Sequence, residues 1–84
     1  MNRIDKLKAK INDPTKDFTF DEAKILMNHF NFKLTNKGRS SGSRVQFQRG
    51  DVKIDLHKPH PRNTLKAYQI RDLKEGLKKA GIRL

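Results

Sequence analysis

The chain has 84 residues, of which 33% are hydrophobic and 35% charged, with no cysteine and a formal net charge of +11. This length predicts one domain with a thin core, burying roughly 60–65% of the surface its unfolded chain exposes. The lack of cysteine excludes a disulfide-stapled scaffold and thiolate zinc sites. The opening MNRIDKLKAKIND has no apolar run like that of a signal peptide or membrane anchor, so a cytoplasmic protein is expected.

In chain order, residues 3–12 put Ile4, Leu7 and Ile11 on one helical face, and Asp13-Pro14 ends the run. So short a helix needs something to dock on. Thr19-Phe20-Asp21-Glu22 then reads as a capping box, with Thr19 at the N-cap, Glu22 at N3, and Phe18 and Ala23 at the staple positions. Ala23, Leu26, Met27 and Phe30 follow at i, i+3, i+4 and i+7, which predicts a helix over about residues 20–30.

The period then changes to two. Phe32 and Leu34 alternate with Lys33 and Thr35 in a first strand, and NKGRSSG (36–42) is a basic, small-residue loop. A second strand, 43–49, sends Val45 and Phe47 one way and Arg44, Gln46 and Gln48 the other. Gly50-Asp51 fits a two-residue type II′ hairpin turn. A third strand, 52–57, turns Val52, Ile54 and Leu56 inward and Lys53, Asp55 and His57 outward. Matching the apolar faces across this turn makes Arg49 and Val52 the closing pair and sets Arg44 opposite His57. A slip of two residues would put Arg44 opposite Asp55 instead.

The last helix is predicted over about residues 65–80, with Asn63 or Thr64 at its N-cap and Gly81 at C′. Ala67, Ile70, Leu73, Leu77 and Ala80 would form its buried stripe. Gly76 inside it costs ~1 kcal/mol relative to Ala and marks close packing. The expected fold is α+β, order ααβββα. A three-stranded antiparallel sheet has helices on one face and leaves the other open, polar and basic. One domain, 1–84, is expected, with 1–17 as a helical extension and 18–82 as the core.

The charge is uneven. Residues 1–36 carry seven Lys/Arg against five Asp/Glu, and residues 37–84 carry thirteen against four. Such an excess repels itself, so a polyanionic partner is the natural reason for it. Nucleic acid comes first, an acidic protein second and a membrane surface last. Arg39, Arg44, Arg49, Arg62 and Arg71 argue against lysine-driven solubility alone, because Arg binds phosphate with two donors.

His60-Pro61, then Leu65-Lys66, then Leu77-Lys78-Lys79-Ala80-Gly81-Ile82 resembles the C-terminal half of HicA toxins, whose members often read H-P, L-K and I-L-K-Q-A-G-I at these spacings. Gly42-Ser43 opening a strand after a Gly-rich basic loop matches a second landmark. The resemblance covers about residues 18–82. It implies a fold like that of double-stranded-RNA-binding domains, an mRNA-cleaving toxin of a toxin–antitoxin pair, and an acidic antitoxin of the HicB kind that covers the RNA surface. In most members the residue directly after that Gly-Ser is a histidine regarded as catalytic. Here it is Arg44. The chemistry has either moved to the histidines near residue 57, or the protein binds RNA without cutting it.

If the chemistry has moved, RNA cleavage needs a base for the 2′-hydroxyl proton, a cation for the crowded phosphorane and an acid for the leaving 5′-oxygen. Histidine suits both proton transfers because its ordinary pKa is ~6.5. No metal or other cofactor is needed. His57, whose direction the sheet defines, is the candidate base. His60, held between Pro59 and Pro61 just before a helix N-terminus, is the candidate acid or phosphate ligand. Arg44 is the candidate clamp for developing charge. Lys58, Arg62 and Lys66 surround the same spot. Lys37, Arg39 and Ser43 from the loop and Gln46 and Lys53 from the outer sheet face complete the expected RNA contacts.

Each residue also has a structural reading. His57 can be a wet strand end, and His60 can fix the approach to the helix through a loop carbonyl. Arg44 can pair with Asp55. Tyr68 can stack on a base or be buried at the helix–sheet seam. His29 suits the end of its helix and is given no function. Asp51 and Asp55 are too few for a metal site, and His57-x-x-His60 would need an outside ligand. Two other functions compete with the ribonuclease: an RNA-binding module of the same fold without catalysis, and a basic DNA-binding module, for which no helix-turn-helix pattern is present.

Overall fold

The N-terminal helix starts where Asn2 turns its side chain back to accept the N–H of Asp5 at 2.8 Å, an N-cap. In the computed structural model, which describes residues 2–35, 44–59 and 62–84, the order is α1 (Arg3–Ile11), α2 (Phe20–His29), β1 (Lys33–Thr35), β2 (Arg44–Arg49), β3 (Val52–His57) and α3 (Ala67–Lys79). This is the expected α+β order, with the strands in one antiparallel sheet, β1-β2-β3.

α1 buries Leu7 and Ile11, and Lys10 reaches Glu22 of α2 at 2.7 Å. The capping box of α2 is complete: Thr19 Oγ1 accepts from Glu22 N–H at 3.1 Å, and Glu22 Oε1 accepts from Thr19 N–H at 3.0 Å. Phe18 and Ala23 are both buried. Asn31, at φ +68°, ends α2 in the left-handed region that Asn tolerates better than most residues. The N–H of Asn31 then reaches Asn28 O at 3.0 Å, and that of Phe32 reaches Met27 O at 3.0 Å. Phe32 therefore belongs to this helix end rather than to the first strand, which begins one residue later.

The preferred hairpin register is the one observed. Arg49 pairs with Val52, Phe47 with Ile54, Val45 with Leu56, and Arg44 with His57. Gly50 has φ +56°, while Asp51 is absent from the positive-φ residues, as a type II′ turn requires. Asp55 lies opposite Gln46, so the alternative pairing of Arg44 with Asp55 is overturned.

The helices lie on the apolar face. The rings of Phe20 and Phe47 are 6.4 Å apart, and Leu73 and Leu77 of α3 join the buried core. Gly76 faces Ile54 so closely that a Cβ at 76 would overlap its side chain. Two expectations for α3 are corrected. First, its N-cap is Lys66, not Asn63 or Thr64. Those two are held by a bridge to the chain before α2: Phe20 N–H donates to Asn63 O and Leu65 N–H to Phe18 O, both at 2.8 Å, around the pair Thr19–Thr64. Second, Ala67 is exposed and Gln69 is buried in its place, because the Gly76–Ile54 approach fixes which side of the helix meets the sheet. At the other end Gly81, φ +82°, closes the helix. Its N–H reaches Lys78 O at 3.0 Å, and that of Ile82 reaches Leu77 O at 2.9 Å.

Candidate nucleic-acid interface

Pleating sends Arg44, Gln46 and Gln48 of β2 and Lys53, Asp55 and His57 of β3 to the face that the helices leave uncovered. Arg44, Lys53, Asp55 and His57 are exposed there, as is Lys33 of β1. The face is not open throughout. Gln46, in the central strand, is 9% exposed and its Nε2 donates to Asp55 Oδ1 at 2.8 Å. Its Oε1 is buried and has no hydrogen-bond partner among the described residues. Among the described expected contacts Gln46 is thus the one whose side chain is tied into the sheet, and it holds the carboxylate of Asp55 to the sheet centre.

The candidate chemistry gathers at one end of the sheet. Arg44 begins β2 and His57 ends β3, as cross-strand partners. Lys58 follows, exposed, and Arg62 and Lys66 are exposed on the far side of the connection to α3. Lys66 is the N-cap residue, with no side-chain cap hydrogen bond, of a helix whose first turn holds no acidic residue. A cation there opposes the helix dipole, an arrangement that a bound anion relieves. Tyr68, 48% exposed, is not buried at the seam. His60, Lys37, Arg39 and Ser43 lie outside the described residues.

One residue of this corner escaped the sequence reading. Gln69 is 4% exposed, its Oε1 accepts from Lys66 N–H at 2.9 Å, and its Nε2 donates to His57 O at 2.9 Å. A single buried amide therefore joins the end of β3 to the start of α3, the two ends of the connection that carries Lys58 and Arg62. The signal was present, since Gln at N3 is a capping-box residue. Reading it required placing the N-cap at a lysine, against the usual preference for Ser, Thr, Asp or Asn.

His29 ends α2, exposed, with its ring 4.9 Å from that of Phe30 and edge-on to it. Among the described residues, no three His, Asp or Glu side chains come together as a metal cage would require, and no helix is long and apolar enough to cross a membrane.

Compared with known proteins, residues 20–82 match the family model for the HicA toxin of bacterial toxin–antitoxin systems. Comparisons with curated proteins and with solved structures find no significant match.

Proposed function

The chain belongs to the HicA family of bacterial toxins, and from that membership we propose that it is a metal-independent endoribonuclease that cleaves mRNA through histidine chemistry. Residues 18–82 form the toxin core, of a kind with double-stranded-RNA-binding domains, and residues 1–17 are an added helical extension. The observation that carries the reading is the Arg44–His57 pair at the exposed end of β2 and β3, flanked by Lys58 and Lys66.

The chemistry follows from these groups. His57 takes the proton of a ribose 2′-hydroxyl. The freed oxygen attacks the adjacent phosphorus, forming the cyclic phosphate, while the P–O5′ bond breaks. His60 gives a proton to the departing 5′-oxygen. The Arg44 guanidinium offsets the charge that builds on the phosphorane oxygens. Lys37, Arg39, Ser43, Gln46, Lys53, Lys58, Arg62 and Lys66 bind the strand, with Gln46 contributing only where RNA contact frees its amide from Asp55. An acidic antitoxin of the HicB kind covers this basic face, and the protein works in the cytoplasm.

A second reading has its own observation. Arg44 stands where most of the family carries histidine, which favours an RNA-binding module that has kept the grip without the cut. Purified protein incubated with a long mRNA in EDTA separates the two. The ribonuclease reading expects fragments ending in 2′,3′-cyclic phosphate and 5′-hydroxyl, with His57→Ala slowing cleavage by ~10²-fold or more. Intact RNA that stays bound supports the module.

A further inference from the structure

α3 has a second face. Leu73, Gly76 and Leu77 go to the core. Ala67, Ile70, Arg71, Lys74 and Lys78, at i, i+3, i+4, i+7 and i+11, line a groove of about 1300 Å³ whose other wall includes Ile11 and Pro14. Its floor is apolar: Phe18 and Leu65 are buried, and Ile70 and Ile82 are half-buried. A concave surface that sets half-buried apolar side chains beside a rim of cations has the form that seats an amphipathic segment.

Charge identifies what docks. Lys16, Arg71, Lys74, Lys78 and Arg83 line the groove against Asp13, Asp17 and Glu75. Asp13 is turned into its own loop, where it accepts from the N–H and hydroxyl of Thr15 at 2.9 and 2.6 Å. All nine Asp and Glu side chains of the chain lie at described positions, and the ion pairs seen among the described residues are Lys10–Glu22 and Lys24–Asp21. The groove's five cations are therefore without ion-pair partners among the described residues. A second copy of the chain, also at +11, would bring like charge to like. RNA would satisfy the cations but leave the apolar floor wet.

We propose that this groove takes an acidic amphipathic segment of a protein partner, with apolar side chains on Ile70, Ile82 and Leu84 and carboxylates on Arg71, Lys74 and Lys78. The site lies on the helix side of the sheet, away from Arg44 and His57, so the inference stands whether or not the chain cuts RNA. The two surfaces come closest in sequence at residues 65–67, where Leu65 and Ala67 line the groove on either side of Lys66.

The test is an NMR titration of the ¹⁵N-labelled protein with three probes. One is a synthetic Leu/Glu peptide of about 18 residues with leucines at helical spacing, one a scrambled peptide of the same composition, and one a single-stranded RNA oligonucleotide. The amphipathic peptide is expected to shift Ile70, Lys74, Lys78 and Ile82 and to bind at least ~10-fold more tightly than the scramble. Lys74→Glu with Lys78→Glu, both outside the core, is expected to weaken it by ~10-fold or more. No binding, equal binding of the scramble, shifts confined to Lys53 and His57, or groove shifts produced only by RNA would each overturn the proposal.

Discussion

Two side chains show what a single residue decides in this protein. Gln69 satisfies two main-chain groups from different elements, Lys66 N–H and His57 C=O. Gln69→Leu keeps the volume and leaves both groups unpaired, so a loss of about 1–3 kcal/mol is expected in urea unfolding. If the His57 corner cuts RNA, cleavage should fall further than RNA binding does. Glu22 is the second. Burial pushes its carboxyl up, but hydrogen bonds from Lys10 and from the N–H and hydroxyl of Thr19 push it down by more, so it lies below its ordinary value. A carboxyl lowered on folding adds stability that is fully present above its unfolded pKa and is lost as pH falls through its folded one. Glu22→Gln should therefore cost stability at neutral pH and flatten the acid side of a pH series of denaturation midpoints. The Thr19–Glu22 box was legible in the sequence because its partners are three residues apart. The Gln69–His57 bond was not, because it joins groups that only the folded chain brings together.

At the scale of elements, legibility tracked how tightly local geometry constrains each one. The β2–β3 register could be written in advance, since a two-residue turn with Gly50 at its first position fixes the closing pair and the apolar faces admit few alternatives. α3 was foreseen with Ile70, Leu73, Leu77 and Ala80 against the core, but its N-cap and the inward place given to Ala67 were misread. Ala67 and Gln69 are each reachable from an apolar stripe through Leu73 and Leu77, and composition favours the alanine. Packing decides otherwise, because the helix approaches the sheet at Gly76 over Ile54. In an exposed helix Gly→Ala gains ~1 kcal/mol. Here Gly76→Ala is expected to destabilise by about 1–3 kcal/mol through overpacking. Adding Ile54→Val should recover part of the loss, a coupling that a double-mutant cycle of unfolding free energies reads directly. Of the candidate site, the sequence supplied the strand face and the Arg44–His57 pairing. The capping lysine broke the usual preference, and the shielding of Gln46 depends on its neighbours in the sheet.

Across the whole molecule, charge and fold divide the surface. The sheet offers one face with Arg44, Lys53 and His57, and α3 carries its own cations along the groove. For the proposed RNA complex, neutralised phosphates release counterions, so affinity should fall about 10³-fold between roughly 50 and 200 mM salt. A flat response in a filter-binding series would remove the electrostatic basis of that reading. The Thr19–Thr64 bridge acts at the same scale. It pins together two segments separated by the whole three-stranded meander. A β-hairpin closes in about 1–10 μs from neighbours in sequence, whereas this bridge must gather the chain around everything between its arms. Because closure entropy rises by only ~0.6 kcal/mol for each doubling of a loop, the enclosed segment can lengthen over evolutionary time with little thermodynamic penalty, while the pinned ends keep their place.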